Sequence, residues 1–169
     1  MEQQSMAVTG AGNVASEVAR PRLLVLGFDL GVTTGVARYV DGKLLALESV
    51  KPWAMRGLLV AALAENSRVQ VIFEDSRLQS HIFSAKKKMA EAAKLKIARD
   101  VGGIDAWCTL LEQECKELGI RSLGVSPAEK GSKVAASAFE HITGWTGRTN
   151  EHERDAAMVA RPFRKGFQS

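Results

Sequence analysis

The sequence is poor in cysteine, and the two it contains do not suggest a disulfide framework. Cys108 and Cys115 are its only cysteines. They are spaced about two turns apart on one face of a predicted helix, too far apart for an easy disulfide. We therefore expect both to be reduced packing residues, as is usual in a cytosolic protein.

Long apolar runs are also missing. No run reaches the roughly 18 residues of a membrane span. The first 20 residues lack the basic start and apolar stretch of a signal peptide. Rich in Gln, Ser, Thr and Gly, they are interpreted as a flexible leader of a cytoplasmic protein without a membrane partner.

An internal repeat and a second domain are likewise not found. A length of 169 residues fits one domain, and 46% apolar with 25% charged residues supports a buried core. Lys and Arg outnumber Asp and Glu by 23 to 19, which permits a nucleic-acid or phosphate partner without requiring one. We assign residues 1–20 to the leader, 21–162 to the domain and 163–169 to a basic tail.

Hydrophobic patterning predicts a mixed α/β sheet of five strands. Three consecutive antiparallel strands are expected at 23–30, 36–40 and 43–50, with Asp41-Gly42 as a hairpin turn. Two further strands are predicted at 69–74 and 120–125, parallel to the first. Helices are predicted at 53–67, at 84–118 with a break at Gly102-Gly103, at 132–142 and at 150–160, flanking the sheet. Trp107, Leu110, Leu111 and Leu118 are expected in either the core or a dimer seam.

Two carboxylates stand at the ends of buried strands, which is costly unless a positive group meets them. Asp29 ends the first strand and Glu74 the fourth, so parallel strands would bring both to one sheet edge. A hard divalent cation is a natural partner. Capping of backbone amides, or pairing with Arg77, is the alternative interpretation.

The last predicted helix offers further ligands. His152 and Asp155 are three positions apart and share a face, and Glu151 is a neighbour of Asp155. An ordinary acidic helix N-terminus would look the same. Together with Asp29 and Glu74, however, these groups suffice for two metal ions roughly 4 Å apart that drive phosphodiester hydrolysis.

These motifs resemble the RuvC-type Holliday junction resolvases of the ribonuclease H-like superfamily. The similarity rests on GFDLGVTTG at 27–35 with its hairpin, IFED at 72–75, and HERD at 152–155 before an Ala-rich helix. It implies a ribonuclease H-like fold and catalytic, metal-binding roles for Asp29, Glu74, His152 and Asp155. Which of Glu151, His152 and Asp155 binds metal directly stays open.

The resemblance also implies an activity and its partners. One Mg²⁺ would activate water and a second would stabilise the leaving oxygen, with Mn²⁺ as a substitute. The substrate would be a four-way DNA junction, cut by a homodimer through paired symmetric nicks that leave 5′-phosphates. The divergence of the motifs suggests a phage-borne or otherwise remote member acting in the bacterial cytosol.

A segment rich in lysine and arginine follows Glu74 in the sequence. Residues 77–99 contain seven Lys or Arg and one Glu, a pattern that suits phosphate neutralisation, although a solvated helix face is the plainer alternative. Cations in loops before the last helix are also candidates. The predicted DNA-binding residues are Arg77, Lys86, Lys87, Lys88, Lys94, Lys130, Lys133 and Arg148.

Other functions share parts of this pattern. The first phosphate loop of the actin and sugar-kinase fold also matches residues 27–34, but that fold needs a second domain and a second phosphate loop. Another ribonuclease H-like nuclease, cutting RNA–DNA hybrids or flaps, and a non-catalytic nucleic-acid-binding member are the remaining alternatives.

Overall fold

Five strands form one mixed sheet in the computed structural model, which describes residues 22–66, 68–79, 90–130 and 132–168. The strands are β1 (Leu23–Asp29), β2 (Thr34–Val40), β3 (Lys43–Val50), β4 (Arg68–Glu74) and β5 (Arg121–Val125). Their spatial order is β3-β2-β1-β4-β5. The first three are antiparallel, and β4 and β5 run parallel to β1, so the predicted sheet is confirmed.

The helices cover both faces of the sheet. They are α1 (Met55–Glu65), α2 (Glu91–Glu117), α3 (Pro127–Lys130), α4 (Ala136–Thr143) and α5 (Glu151–Ala160). Helix α1 begins two residues later than predicted, after a 3₁₀ turn at Pro52–Ala54. The helix predicted at 132–142 corresponds to α4, which begins four residues later, at Ala136. The short helix α3 precedes that segment and was not predicted.

The predicted break at Gly102-Gly103 is wrong, because α2 is continuous through both glycines. A helical glycine costs about 1 kcal/mol relative to alanine, which packing can offset. The second half of α2 buries Cys108, Leu111 and Cys115 against the sheet. This packing holds the helix together across a locally unfavourable sequence.

The core consists of two layers, one on each face of the central strands. On one face, alternate residues of β1 and β4 pack against α1 and α2. Leu111 is buried in this layer, and Trp107, Leu110 and Leu118 pack against it while partly exposed. On the other face, β1, β2 and β4 pack against α4 and α5 through residues such as Phe139. Both cysteines are buried and free, as expected.

The segment expected as a basic tail packs against the domain over its described residues. Phe163 and Phe167 contact the α4–α5 layer and meet edge to face, with ring centroids 6.4 Å apart. The Gln70 side chain exchanges two hydrogen bonds with the Phe167 backbone, at 3.0 and 3.1 Å. Residues 163–168 are therefore joined to β4 in the folded structure.

Two glycines let α5 lie directly against the sheet. A Cβ on Gly27 would overlap the Ala156 carbonyl oxygen, and one on Gly35 would overlap the His152 carbonyl oxygen. A glycine within a buried strand often marks such a close backbone approach. Gly27 and Gly35 thus set the distance between α5 and the strands β1 and β2.

We predict that Gly35→Ala destabilises the fold by roughly 1–3 kcal/mol, the usual cost of overpacking, because backbone atoms of α5 must move. Gly57→Ala is the matched control: Gly57 lies within α1 with open space where its Cβ would stand, so alanine should raise the free energy of unfolding by about 0.5–1 kcal/mol. Urea unfolding measures both. Equal effects of the two substitutions would contradict the role given to Gly35.

Candidate active site

Asp29 and Glu74 lie at the same edge of the sheet because β1 and β4 are parallel neighbours. Phe28 pairs with Phe73 in register, and each acid follows its phenylalanine. Both phenylalanines are fully buried, whereas the two acids are half-buried at the ends of their strands. Their carboxylates therefore occupy the boundary between core and solvent.

The first turn of α5 meets this edge. Asn150 caps the helix by accepting a 3.0 Å hydrogen bond from the Glu153 amide, and the Glu153 carboxylate accepts the Asn150 N–H at 3.0 Å. This is a capping box, formed by a polar N-cap residue with a glutamate three positions later. It fixes where the helix begins and so which residues of its first two turns, including His152 and Asp155, face the sheet.

One pocket of about 280 Å³ brings together all four residues predicted to be catalytic. Asp155 is 5% exposed, whereas the His152 side chain is 48% exposed. The four residues therefore range from the buried bottom of the pocket to its solvent-exposed opening. The pocket is lined by Asp29, Leu30, Gly31, Glu74, Ser76, Ile104, Lys133, Glu151, His152 and Asp155.

The side chains in this pocket are engaged with one another. Nδ1 of His152 lies 2.8 Å from Oδ2 of Asp29, and Lys133 forms an ion pair with Glu151. Within the described part of the chain, no three acidic, histidine or cysteine side chains are close enough together to hold one metal ion. The donor types suit Mg²⁺, but the arrangement is not a closed ligand cage.

Two acids adjacent to the predicted site residues, Glu153 and Asp75, have structural partners. Glu153 is taken up by the capping box and also accepts a 3.0 Å hydrogen bond from Ser49. Asp75 is 4% exposed and faces Arg77 rather than the pocket. Glu151 lines the pocket beside Lys133. Glu151, His152 and Asp155 are therefore the members of the last helix that face the site.

Asp75 and Arg77 form a bidentate ion pair directly after Glu74. Nε and Nη2 of Arg77 donate to the two carboxylate oxygens of Asp75 at 2.8 and 2.7 Å. The hydrogen bonds from Arg77 lower the pKa of Asp75, and those to Asp75 and Glu112 raise the pKa of Arg77. Arg77 also donates to Glu112 at 2.8 Å and to Thr109 at 3.2 Å, both on α2.

Further contacts tie the end of β4 to α2. Ser76 donates a 2.6 Å hydrogen bond to Asp105, and the Cys108 thiol donates to the Glu74 carbonyl oxygen at 3.7 Å. Burial raises the pKa of the Cys108 thiol, which keeps it protonated as a donor. We call residues 74–77 with their α2 partners the β4–α2 clamp; it fixes the backbone that carries Glu74.

The residues predicted to bind DNA are distributed unevenly. Lys133 lines the pocket, Arg148 is exposed before α5, and Lys94 pairs with Glu91 at 2.6 Å on α2. Arg77 is committed to the β4–α2 clamp. Lys86, Lys87 and Lys88 lie outside the described residues, and Lys130 is described only as the last residue of α3.

The glycines and polar groups that support the site are not evident from the sequence. Gly35 belongs to the motif at 27–35, and Ser76 belongs to no motif. Gly27 lies inside the predicted strand 23–30, which is the available signal for close packing, whereas Gly35 precedes the predicted strand 36–40 and lacks that signal. Nothing in the sequence linked Ser76 to Asp105, because the two residues meet only when α2 folds onto the sheet.

A comparison with solved structures finds a protein of the same fold. The structure of T. thermophilus RuvC in complex with a Holliday junction substrate matches this chain with a TM-score of 0.55 and 17% identity. The match covers 83% of this chain and 92% of that one. The chain has a RuvC-like fold. No protein-family model matches it, and no curated protein matches its sequence.

The strand order and the mixed parallel and antiparallel pairing fit this RuvC-like fold. It confirms the predicted ribonuclease H-like class, a mixed five-stranded sheet flanked by helices. At this level of identity the likeness concerns the fold alone. No helix in the described part of this RuvC-like domain is long and apolar enough to span a membrane.

We predict that Arg77→Gln lowers the free energy of unfolding at pH 7 by about 1–3 kcal/mol, because the buried Asp75 carboxylate loses both guanidinium donors and keeps only the backbone N–H of residue 77. The Asp75 pKa lies below its ordinary 3.8 in the folded state, so the stabilisation is present above that value and disappears as pH falls through the lowered pKa. The difference between wild type and variant should therefore shrink in acid. Urea unfolding from pH 7 to pH 3 measures it.

Arg22→Gln is the control for this measurement. Arg22 and Asp41 form an exposed pair at 3.9 Å, with side chains 66% and 60% exposed. Such a pair contributes about 0–1 kcal/mol. A loss from Arg77→Gln no larger than this would show that the β4–α2 clamp does not hold the fold.

Proposed function

We propose that this protein is a divalent-metal-dependent endonuclease that resolves four-way DNA junctions by paired symmetric nicks. The observation that carries the proposal is the meeting of Asp29, Glu74, His152 and Asp155 in one pocket. The RuvC-like fold supports it, because the similar structure is that of RuvC with a Holliday junction substrate. Branched DNA is accordingly the proposed substrate.

The carboxylates of Asp29, Glu74 and Asp155 would hold Mg²⁺ or Mn²⁺, with His152 as an additional ligand or orienting group. Oxygen-rich sites suit these ions. When bound, such ions neutralise phosphate charge and lower the pKa of water. As a metal ligand, His152 would give up its 2.8 Å contact with Asp29; as an orienting group, it would keep that contact.

Lys133 would place a positive charge beside the scissile phosphate. It lines the same pocket and pairs with Glu151 at the rim, where both side chains are more than half exposed. An exposed pair exchanges partners at little cost, since it contributes about 0–1 kcal/mol. A phosphate entering the pocket could therefore take Glu151's place at Lys133.

Two copies of the chain would be needed to cut a junction symmetrically. One pocket contains one set of the four residues. A second nick at the symmetric position requires a second set of these four residues next to the opposite strand. We therefore propose a homodimer on the four-way junction, with one site for each cut.

A non-catalytic role in binding branched nucleic acid is the second candidate. It is favoured by one observation: among the residues described, no three candidate ligands are grouped closely enough for a metal ion. A protein that only binds DNA would keep the RuvC-like fold and the cations near the pocket while having no need for metal. The activity measurement below separates the two functions.

We expect Asp29→Asn to reduce cutting of a synthetic four-way junction in Mg²⁺ by about 100-fold or more. Charge stabilisation by metal amounts to several kcal/mol, and each 1.36 kcal/mol is tenfold in rate. Denaturing gels with labelled strands measure the nicks, and a ligation assay tests for 5′-phosphates. Plain duplex, a flap and an RNA–DNA hybrid serve as substrate controls.

The outcomes are distinct. Cutting confined to a flap or hybrid would keep the nuclease and discard the junction. Junction binding without cutting in either Mg²⁺ or Mn²⁺ would favour the binding role. Glu153→Gln is the matched carboxylate control: it lies on the same helix but in the capping box, and it should cut at a rate close to wild type once folding is verified.

We also predict that Lys133→Gln weakens junction binding and lowers the slope of log affinity against log salt by about 1, as expected for one lost phosphate contact. Lys116→Gln, an equal charge change at an exposed position on α2, should leave the slope unchanged. Fluorescence anisotropy without divalent metal measures both. Glu151→Gln should strengthen binding, because it releases Lys133; a weaker complex would contradict the assigned role.

A further inference from the structure

A second cavity lies at the end of the sheet opposite the acidic pocket. It has a volume of about 390 Å³ and lies between the β2–β3 hairpin, the end of α4 and the residues after α5. The hairpin joins β2 at Val40, which pairs with Leu24 near the start of β1, whereas Asp29 ends that strand. Five residues of strand separate the two ends by about 16 Å. The cavity is lined by Tyr39, Gly42, Lys43, Leu44, Ile142, Thr143, Arg161 and Arg164.

The lining carries three positive charges and no carboxylate. Within the described ranges, Lys43, Arg161 and Arg164 form no ion pair. The nearest hairpin acid, Asp41, is directed elsewhere: it accepts the Leu23 N–H at 3.1 Å. Three cations around one cavity without counter-charge repel one another, so an anion bound among them would be stabilised.

The two guanidinium groups are held in place by the fold. Arg161 donates to the Ile142 carbonyl oxygen at 3.4 Å, and Arg164 donates to the Arg161 carbonyl oxygen at 2.9 Å. Each arginine has five N–H donors, so several remain for a ligand. The packed residues Phe163 and Phe167 anchor this segment, which limits the entropy lost on binding.

The neutral wall of the cavity also suits an anion. The Tyr39 hydroxyl donates to the Ala157 carbonyl oxygen at 3.0 Å. Burial raises the pKa of Tyr39 to about 12, although the charges of Arg161 and Arg164 act to lower it. Tyr39 is therefore uncharged at neutral pH. The charges of Arg161 and Arg164 act on its pKa because both guanidinium groups lie near the Tyr39 ring.

Compensation of the helix dipole does not explain the whole arrangement. The C-terminal end of α5 carries roughly half a negative charge, for which one nearby cation would suffice. Arg161 caps that end, but Lys43 comes from the hairpin and Arg164 lies beyond the helix. Three full positive charges exceed what the helix end requires.

We propose that this cavity is a phosphate-binding site, distinct from the acidic pocket, in which Lys43, Arg161 and Arg164 contact the phosphate oxygens. The ligand is a phosphate group, supplied either by a nucleic-acid backbone or by a free or small-molecule phosphate. Arginine forks match the geometry of phosphate oxygens, and Lys43 adds a point charge. The site does not depend on nuclease activity.

The test is an NMR titration of the full chain with inorganic phosphate. Wild type should show saturable shifts at the Gly42 and Thr143 amides, and R161Q/R164Q should weaken binding at least tenfold. The control K51Q/K116Q removes two charges at exposed positions and should bind phosphate as wild type does. Absence of saturable binding to wild type, or equal binding by R161Q/R164Q, would overturn the proposal.

Lys43→Glu keeps the test decisive if the double arginine variant fails to fold. Lys43 is exposed at the start of β3, so its replacement does not disturb the end of α5. It should also weaken phosphate binding at least tenfold, and an unchanged affinity would overturn the proposal.

A second arm identifies the source of the phosphate. Anisotropy with a DNA duplex, without divalent metal, gives the salt dependence of binding for each variant. A slope lowered by about 1–2 in R161Q/R164Q, with lost phosphate binding, supports the site and assigns it to the DNA backbone. Lost phosphate binding with an unchanged slope supports the site and assigns it to a free or small-molecule phosphate. Since the titration involves no cutting, its failure is distinct from failure of the proposed nuclease.

Discussion

The close packing of α5 against β1 and β2 is the contact on which the candidate site depends. Gly27 and Gly35 leave no side chain between helix and sheet, so backbone carbonyls of α5 lie where a Cβ would otherwise stand. This approach places His152 beside Asp29 and buries Asp155. With a larger residue at either glycine, the helix would stand further off, and ligands from the helix and the sheet would no longer share one pocket.

Positively charged side chains elsewhere in the domain offset the negative charge of the acids that meet at one sheet edge. In a partly buried site, each negative charge raises the free-energy cost of ionising the carboxyl groups beside it. Positively charged side chains therefore lie nearby. Arg77 neutralises Asp75 on one side of Glu74, and Lys133 neutralises Glu151 at the rim. The positive charge that the sequence suggested for DNA is thus partly used to stabilise the acids themselves.

Much of the fold could be predicted from sequence, and the errors have local causes. The strands 23–29, 43–50 and 68–74 stand out as apolar or β-rich runs, and Asp41-Gly42 marks the hairpin, because these signals are short-range. The Asn150 cap was readable for the same reason. The false break at Gly102-Gly103 came from applying helix propensity where tertiary packing of α2 prevails. The hydrogen bond from Arg77 to Glu112 could not be predicted from local pattern, because the two residues lie 35 positions apart along the chain.

The sequence by itself determined which chemical groups were available and at which element ends they stand. Asp29 and Glu74 had to meet if their strands were parallel neighbours, since strand ends share an edge. Only the tertiary structure decided which neighbouring acids face the pocket and which are consumed in caps and ion pairs. It also decided that Arg161 and Arg164 meet Lys43 around a separate cavity. Those outcomes depend on contacts between residues far apart in the chain, which local pattern does not encode.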